Sequence, residues 1–134
     1  MEKELLFEGK ENTNAINLRE FSPEGAKLDI MAAGKVSGKV TGGIMETHNV
    51  LLKPDGTGSA DVRSMIFSNG EAIMVMGKAN GKIVDPAPIY KIEENLTFMT
   101  ASKNFAYLNT TKGWADGSFN LATGEYSFKV YAAK

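Results

Sequence analysis

The chain is 134 residues long, 43% hydrophobic and 23% charged, the profile of one soluble domain, and a chain of that size buries about two-thirds of the surface it exposes when unfolded. Fifteen Lys and Arg against sixteen Asp and Glu leave a formal charge of −1, so no electrostatic argument favours nucleic acid or an anionic membrane as a partner. There is no cysteine and a single histidine, His48, which excludes disulfides, thiolate nucleophiles, cysteine-based zinc sites and two-histidine metal motifs.

The first residues, Met1 to Glu8, lack the basic and apolar regions of a secretory signal. No apolar run approaches the roughly 20 residues needed to span a bilayer. A cytoplasmic location and no membrane partner are therefore expected, with residues 1–134 as one domain.

Leu5-Leu6-Phe7 opens a first strand, while Asn14 to Phe21 is either a short helix or another strand ahead of the Ser22-Pro23-Glu24-Gly25 turn. Between Lys35 and Val40, Val36, Gly38 and Val40 alternate with Lys35, Ser37 and Lys39, the pattern of a half-buried strand whose successive side chains point to opposite faces. Ile44, Glu46, His48, Val50 and Leu52 share a second such face. From Ala60 to Phe67 the inward set would be Ala60, Val62, Ser64 and Ile66, with Met65 and Phe67 competing from the other face. A bulge or an interface would resolve that conflict. Between Gly70 and Gly77 both faces are apolar, Ile73 and Val75 on one and Met74 and Met76 on the other, which suits a strand buried on both sides at a subunit contact. Asp85-Pro86-Ala87-Pro88 is a stiff connection, because each proline fixes φ and removes an amide donor. Near the C-terminus Tyr126, Phe128 and Val130 share one face.

Five dipeptides, Asp55-Gly56, Asn69-Gly70, Asn80-Gly81, Asp116-Gly117 and Thr123-Gly124, read as hairpin turns, since Gly accepts positive φ and Asn or Asp tolerates it. The spacing predicts an all-β chain: one antiparallel barrel of about eight strands, the number that closes round a lumen for side chains or one small ligand. A β-sandwich is the structural alternative.

The stretches Val36-Ser37-Gly38-Lys39-Val40-Thr41-Gly42-Gly43, Asp55-Gly56-Thr57-Gly58-Ser59-Ala60, Met76-Gly77-Lys78-Ala79-Asn80-Gly81-Lys82 and Gly117-Ser118-Phe119-Asn120-Leu121-Ala122-Thr123-Gly124-Glu125 resemble the allene oxide cyclase-like barrel superfamily. That group includes plant allene oxide cyclases, dirigent proteins and small bacterial barrels of uncharacterised function. The resemblance implies a barrel fold and admits a cofactor-independent cyclase or isomerase; it assigns no catalytic residue to this chain.

Glu46 and His48, two apart on an apolar face, would place their Cβ atoms roughly 7 Å apart inside the barrel. Buried there, a carboxylate and an imidazole need partners and make a tunable acid–base pair. A reversed register would instead leave both at the surface, and a structural hydrogen bond would account for His48 alone. Arg63, with Asp61 two residues before it, would bind a ligand carboxylate if it faced the lumen and would be an ordinary surface charge if it did not. Tyr90, Tyr107, Trp114, Tyr126 and Phe128 supply aromatic surface either for a ligand cavity or for a filled core, and Trp114 either gates the barrel mouth or caps the core. The Gly56-Thr57-Gly58-Ser59-Ala60-Asp61 stretch departs from the dinucleotide fingerprint and lies in a hairpin. No metal-ligand spacing or cofactor motif is present, and neither metal nor cofactor is expected.

The expected function is a barrel holding a small apolar or amphipathic molecule. The alternatives are a cofactor-free isomerase or cyclase using Glu46 and His48, and a filled barrel serving as an interaction module. Self-association is compatible with all three.

Overall fold

The computed structural model describes residues 3–84 and 88–133. Eight antiparallel strands close into one barrel in chain order: β1 (Lys3–Ser22), β2 (Gly25–Gly38), β3 (Gly42–Leu52), β4 (Thr57–Ser68), β5 (Glu71–Val84), β6 (Ile89–Thr100), β7 (Lys112–Asn120) and β8 (Glu125–Ala133). A 3-10 segment, Lys103–Thr110, connects β6 to β7. The expected all-β barrel is the one observed. Asp85, Pro86 and Ala87 of the predicted proline connection lie outside the described residues.

Asn14 to Phe21 forms neither a helix nor a separate strand; it continues β1. β1 pairs with β8 from Lys3 to Asn12 but with β2 as far as Ser22. Beyond Thr13 it therefore runs on as an arm held by β2 alone, its other edge facing no strand among the described residues. Register shifts between Thr13 and Ala15 and between Leu18 and Glu20 twist this edge, a device that discourages strand addition.

Asn69-Gly70 closes its hairpin with both residues at positive φ (51° and 80°), while Gly56 and Gly124 adopt φ of 87° and 80° at theirs. Asn80-Gly81 and Asp116-Gly117 do not turn: they lie inside β5 and β7. At Gly117 the need is for space, since a Cβ there would stand 2.6 Å from the Tyr126 ring.

The Ala60–Phe67 conflict is resolved without a bulge. Val62, Ser64 and Ile66 are buried, while Phe67 is exposed and Met65 half-buried on the outside. Ile73 and Val75 likewise point inward, and Met74 and Met76 point out. Met45, Met65, Met74 and Met99 are successive register partners across β3 to β6, so the outer wall carries an apolar row four strands wide.

The interior has three levels. At the end holding the β2–β3 and β4–β5 turns, Leu6, Phe7, Val40, Ile44, Ile66 and Ile73 fill the barrel, and Leu108 of the 3-10 segment is wholly buried among them. Asn109 fastens that segment to β6: Thr100 N donates to its Oδ1 at 2.8 Å, and its Nδ2 donates to the Thr100 carbonyl at 3.0 Å. At the opposite end Leu28, Ile30, Val50, Tyr90 and Phe119 form an apolar mouth. Between them lies a belt of buried polar side chains.

Two glycines on the same barrel separate close backbone approach from mere permissiveness. A Cβ at Gly77 would stand 1.9 Å from the Asn95 carbonyl oxygen, whereas at Gly43 the nearest atom is 3.9 Å away. Gly77→Ala must push β5 from β6 and should cost about 2 kcal/mol or more; Gly43→Ala should be neutral or slightly stabilising. Urea unfolding of both variants checks the contrast, and equal midpoints would contradict it.

Candidate functional site

The polar belt is built by alternation. Ile44, Glu46 and Val50 are buried along β3, with His48 at the same phase, so the strand carries its carboxylate and imidazole inward as apolar residues do on either side. Glu11 arrives from β1 and Glu94 from β6, at 2% and 3% exposure. Ser64 comes from β4 and Tyr126 from β8, both buried. Five strands thus contribute to one cluster, and only closure of the sheet between β1 and β8 brings Glu11 to it.

Ser64 Oγ donates to Glu46 Oε2 at 2.7 Å, and His48 Nε2 lies 3.2 Å from the same oxygen. The Tyr126 hydroxyl donates to Glu94 Oε1. The His48 ring meets Tyr126 edge-on, with centroids 5.8 Å apart. Neither oxygen of Glu11 has a hydrogen-bond donor, and Glu46 Oε1 is also unpartnered. Two carboxyl groups in contact inside an apolar barrel cannot both be ionised.

Protons resolve the conflict unequally. Burial, then the contact with Glu46 and the charges of Glu46 and Glu94, push Glu11 up to about 11, so it is the neutral acid of the pair. Burial would raise Glu46 as well, but the His48 charge and the contacts with Glu11, His48 and Ser64 outweigh it and hold Glu46 down at about 2. Burial opposes the charged imidazole of His48; the Glu46 carboxylate overcomes this and raises it above the ordinary histidine value. Burial and the Glu46 charge lift Glu94 to about 7, against the opposing influence of His48 and Tyr126. Burial and the nearby carboxylates push Tyr126 well above its usual range, so it remains a donor. At neutral pH the cluster therefore holds one ionised carboxylate, one neutral acid and one carboxyl group poised near its midpoint, beside an imidazole whose charged form Glu46 favours.

Above this belt, the mouth forms a cavity of about 50 Å³ whose wall includes Ile30, Val50, Tyr90 and Phe119, with His48 at its floor. Below His48, a second cavity of about 10 Å³ touches Glu46, Ser64 and Glu94. The lumen is therefore mostly filled and opens at one end.

The residues singled out in the sequence divide cleanly. Glu46, His48 and Tyr126 meet in the belt; Phe128 packs against Tyr126 with centroids 5.1 Å apart, and Tyr90 lines the mouth. Arg63 faces outward, between Thr47 and Met76 in register, and Asp61 pairs with Lys78 on the same outer face; neither meets Glu46 or His48 across the strand. Tyr107 stands on the 3-10 segment, 45% exposed. Trp114 neither gates the mouth nor caps the core: between inward Gly113 and Ala115 it points out, against Tyr131 and under Lys3 Nζ at 3.4 Å. Glu11 and Glu94, which the sequence reading did not select, complete the site.

No family model matches the chain, and no curated protein matches it. Solved structures do. A protein of unknown function from Clostridium acetobutylicum superimposes with a TM-score of 0.84 at 19% identity over the whole of both chains. A β-barrel-like protein from Acinetobacter baumannii gives 0.82 at 22% identity, covering 99% of this chain and 96% of that one. An enzyme from Penicillium herquei gives 0.73 at 20% identity, covering 97% and 93%. At these identities the likeness shows a shared small-barrel fold. No helix among the described residues is long and apolar enough to cross a membrane.

The Glu11 proton has a measurable consequence. A carboxyl group raised in the folded state favours folding below its unfolded pKa, near 4.5, and that contribution is lost as pH rises toward about 11. Glu11→Gln supplies the neutral form permanently. The variant should melt several degrees above the parent protein at pH 8, with the gap closing toward pH 5. A lower melting temperature for Glu11→Gln at pH 8 would show that Glu11 is ionised in the fold.

Proposed function

We propose that the protein binds a small apolar or amphipathic molecule at the mouth, with the polar end of that molecule against His48. The observation that carries this reading is the mouth cavity itself: its walls are mostly apolar, and the lining residue that ionises near neutral pH is an imidazole already oriented from behind by Glu46. A pocket with apolar walls and few polar anchors is the usual form of a small-molecule site. At about 50 Å³ the cavity admits only one end of such a molecule. The rest would lie along the β1 arm, where Ile16 and Leu18 are 46% and 62% exposed. Those residues are register partners of Ile30 and Leu28, and directly opposed residues share a face, so the arm extends the apolar wall beyond the mouth.

A second reading, a cofactor-independent isomerase or cyclase, is favoured by Glu94. Held near pH 7 and linked to Tyr126 beside His48, it can take up or release a proton under neutral conditions, as general acid–base catalysis requires. The resemblance to allene oxide cyclase-like barrels supports the same reading. Binding precedes catalysis in either case.

The test uses 1-anilinonaphthalene-8-sulfonate, a fluorescent amphipathic probe. Binding to the folded protein is expected, together with its loss in Ala60→Phe, which fills the mouth from a half-buried lining position. The affinity should fall about tenfold or more, a loss of about 1.4 kcal/mol, with the melting temperature little changed. Equal affinity in the two proteins, or no binding to the parent, would leave the barrel as a filled interaction module.

A further inference from the structure

The belt has ligand atoms that no aligned hydrogen bond occupies: His48 Nε2, Glu46 Oε1 and both oxygens of Glu11. His48 Nε2 and Glu46 Oε2, the oxygen that also accepts from Ser64, stand 3.2 Å apart. Two ligand atoms each about 2.1 Å from one ion stand about 3.0 Å apart at a right angle and about 3.4 Å apart at the tetrahedral angle. The observed separation falls between those values.

Glu94 supplies a third donor: one atom from each of Glu46, His48 and Glu94 lies within 4.8 Å of the others. Trans ligands of one ion are about 4.2 Å apart and tetrahedral ones about 3.4 Å, so closing on an ion draws these side chains together by at most about 1.4 Å. A cavity of about 10 Å³, the size of one water molecule or one ion, lies beside the cluster; Glu46 and Glu94 line it, while His48 and Glu11 do not. A second observation, independent of the clustering, points the same way. Glu11 is 2% exposed and lies against Glu46; apart from the proton it turns toward Glu46, its oxygens receive no hydrogen bond. Buried carboxyl oxygens without donors are costly, and a cation that displaced that proton would satisfy them.

We propose that Glu46, His48 and Glu94 bind one divalent cation inside the barrel, with Glu11 positioned to join or orient them. The donor set, one imidazole nitrogen with carboxylate oxygens and no sulfur, suits borderline to hard ions such as Zn²⁺, Fe²⁺ or Mn²⁺. The charge agrees, since two carboxylates balance a dication. The ion would take the place of the protons on which the acid–base reading depends. It does not require an organic ligand at the mouth.

The single histidine makes the test direct, because every imidazole signal from the chain belongs to His48. The full chain, labelled with ¹⁵N and stripped with a chelator, is titrated with ZnCl₂ while the His48 Nε2 resonance is followed by NMR. Saturation at one ion per chain, with Nε2 shifted to the position of a metal-bound nitrogen, is the expected result. Glu94→Gln should weaken Zn²⁺ binding about tenfold or more, while Asp61→Asn, on the outer face, should leave it unchanged. A stationary Nε2 resonance up to about 1 mM Zn²⁺, or equal affinity in the parent and Glu94→Gln, would overturn the proposal and leave protons as the only cations in the belt. The resonance is read on the parent chain, so the result stands even if the variant fails to fold. With no organic probe in the titration, failure here leaves the mouth reading standing.

Discussion

Glu46 holds an ionised carboxylate inside a closed sheet, and the arrangement around it follows from that charge. Water is excluded at 8% exposure, so each oxygen has to be answered by the lumenal side chains of other strands. Ser64 answers from β4, His48 from two residues along β3, and Glu11 from β1, with its proton. Glu94 is drawn into the same electrostatics from β6 and is itself held by Tyr126 from β8. An open sheet would leave the β1 and β8 members on the far edge. Closure therefore completes the hydrogen-bonded ladder and the charge compensation of Glu46 together.

The aromatic side chains beside the belt depend on missing side chains elsewhere. Phe128 has Gly9 as its register partner on β1 and Gly117 as its partner on β7. A Cβ on Gly9 would come within 2.5 Å of the Phe128 ring, and one on Gly117 within 2.8 Å of the Tyr126 hydroxyl oxygen. The glycines leave room for two rings packed at a tilt of 31°, and that places the Tyr126 hydroxyl where it reaches Glu94. In this way residues with no chemistry of their own fix the geometry of a titrating carboxyl group.

The same glycines explain what was legible in the sequence. Ile44 to Leu52 could be read because a glycine pair precedes it and its alternation is unbroken, which put Glu46 and His48 inside. Tyr90, Ile92, Glu94, Leu96 and Phe98 carry the same signal, and a search for charged residues at inward positions of apolar stripes would have found Glu94. Glu11 was hidden by the irregularity between Leu5 and Phe7, which buries adjacent residues Leu6 and Phe7 and obscures the phase of β1. Asn80-Gly81 and Asp116-Gly117 misled because a dipeptide suited to positive φ is also suited to close packing, and sequence does not say which property is in use. Arg63 and Trp114 sit in the opposite phase from the buried residues beside them; chemical type had suggested an interior role that alternation denies.

The two barrel ends then give the belt a direction. One end is packed with apolar side chains and plugged by Leu108; the other is an apolar mouth that reaches His48. His48 is the more accessible member of its pair, with 13% side-chain exposure against 5% for Glu46, and Glu11 and Glu94 are more deeply buried still. A proton, an ion or the polar end of a ligand entering from solvent thus meets the imidazole before it meets any carboxylate. Such an entrant changes the charge beside Glu46, and the shared proton of the Glu11 pair must adjust to it. The buried carboxylates thus stand behind His48, and the imidazole is the member of the belt that borders the mouth.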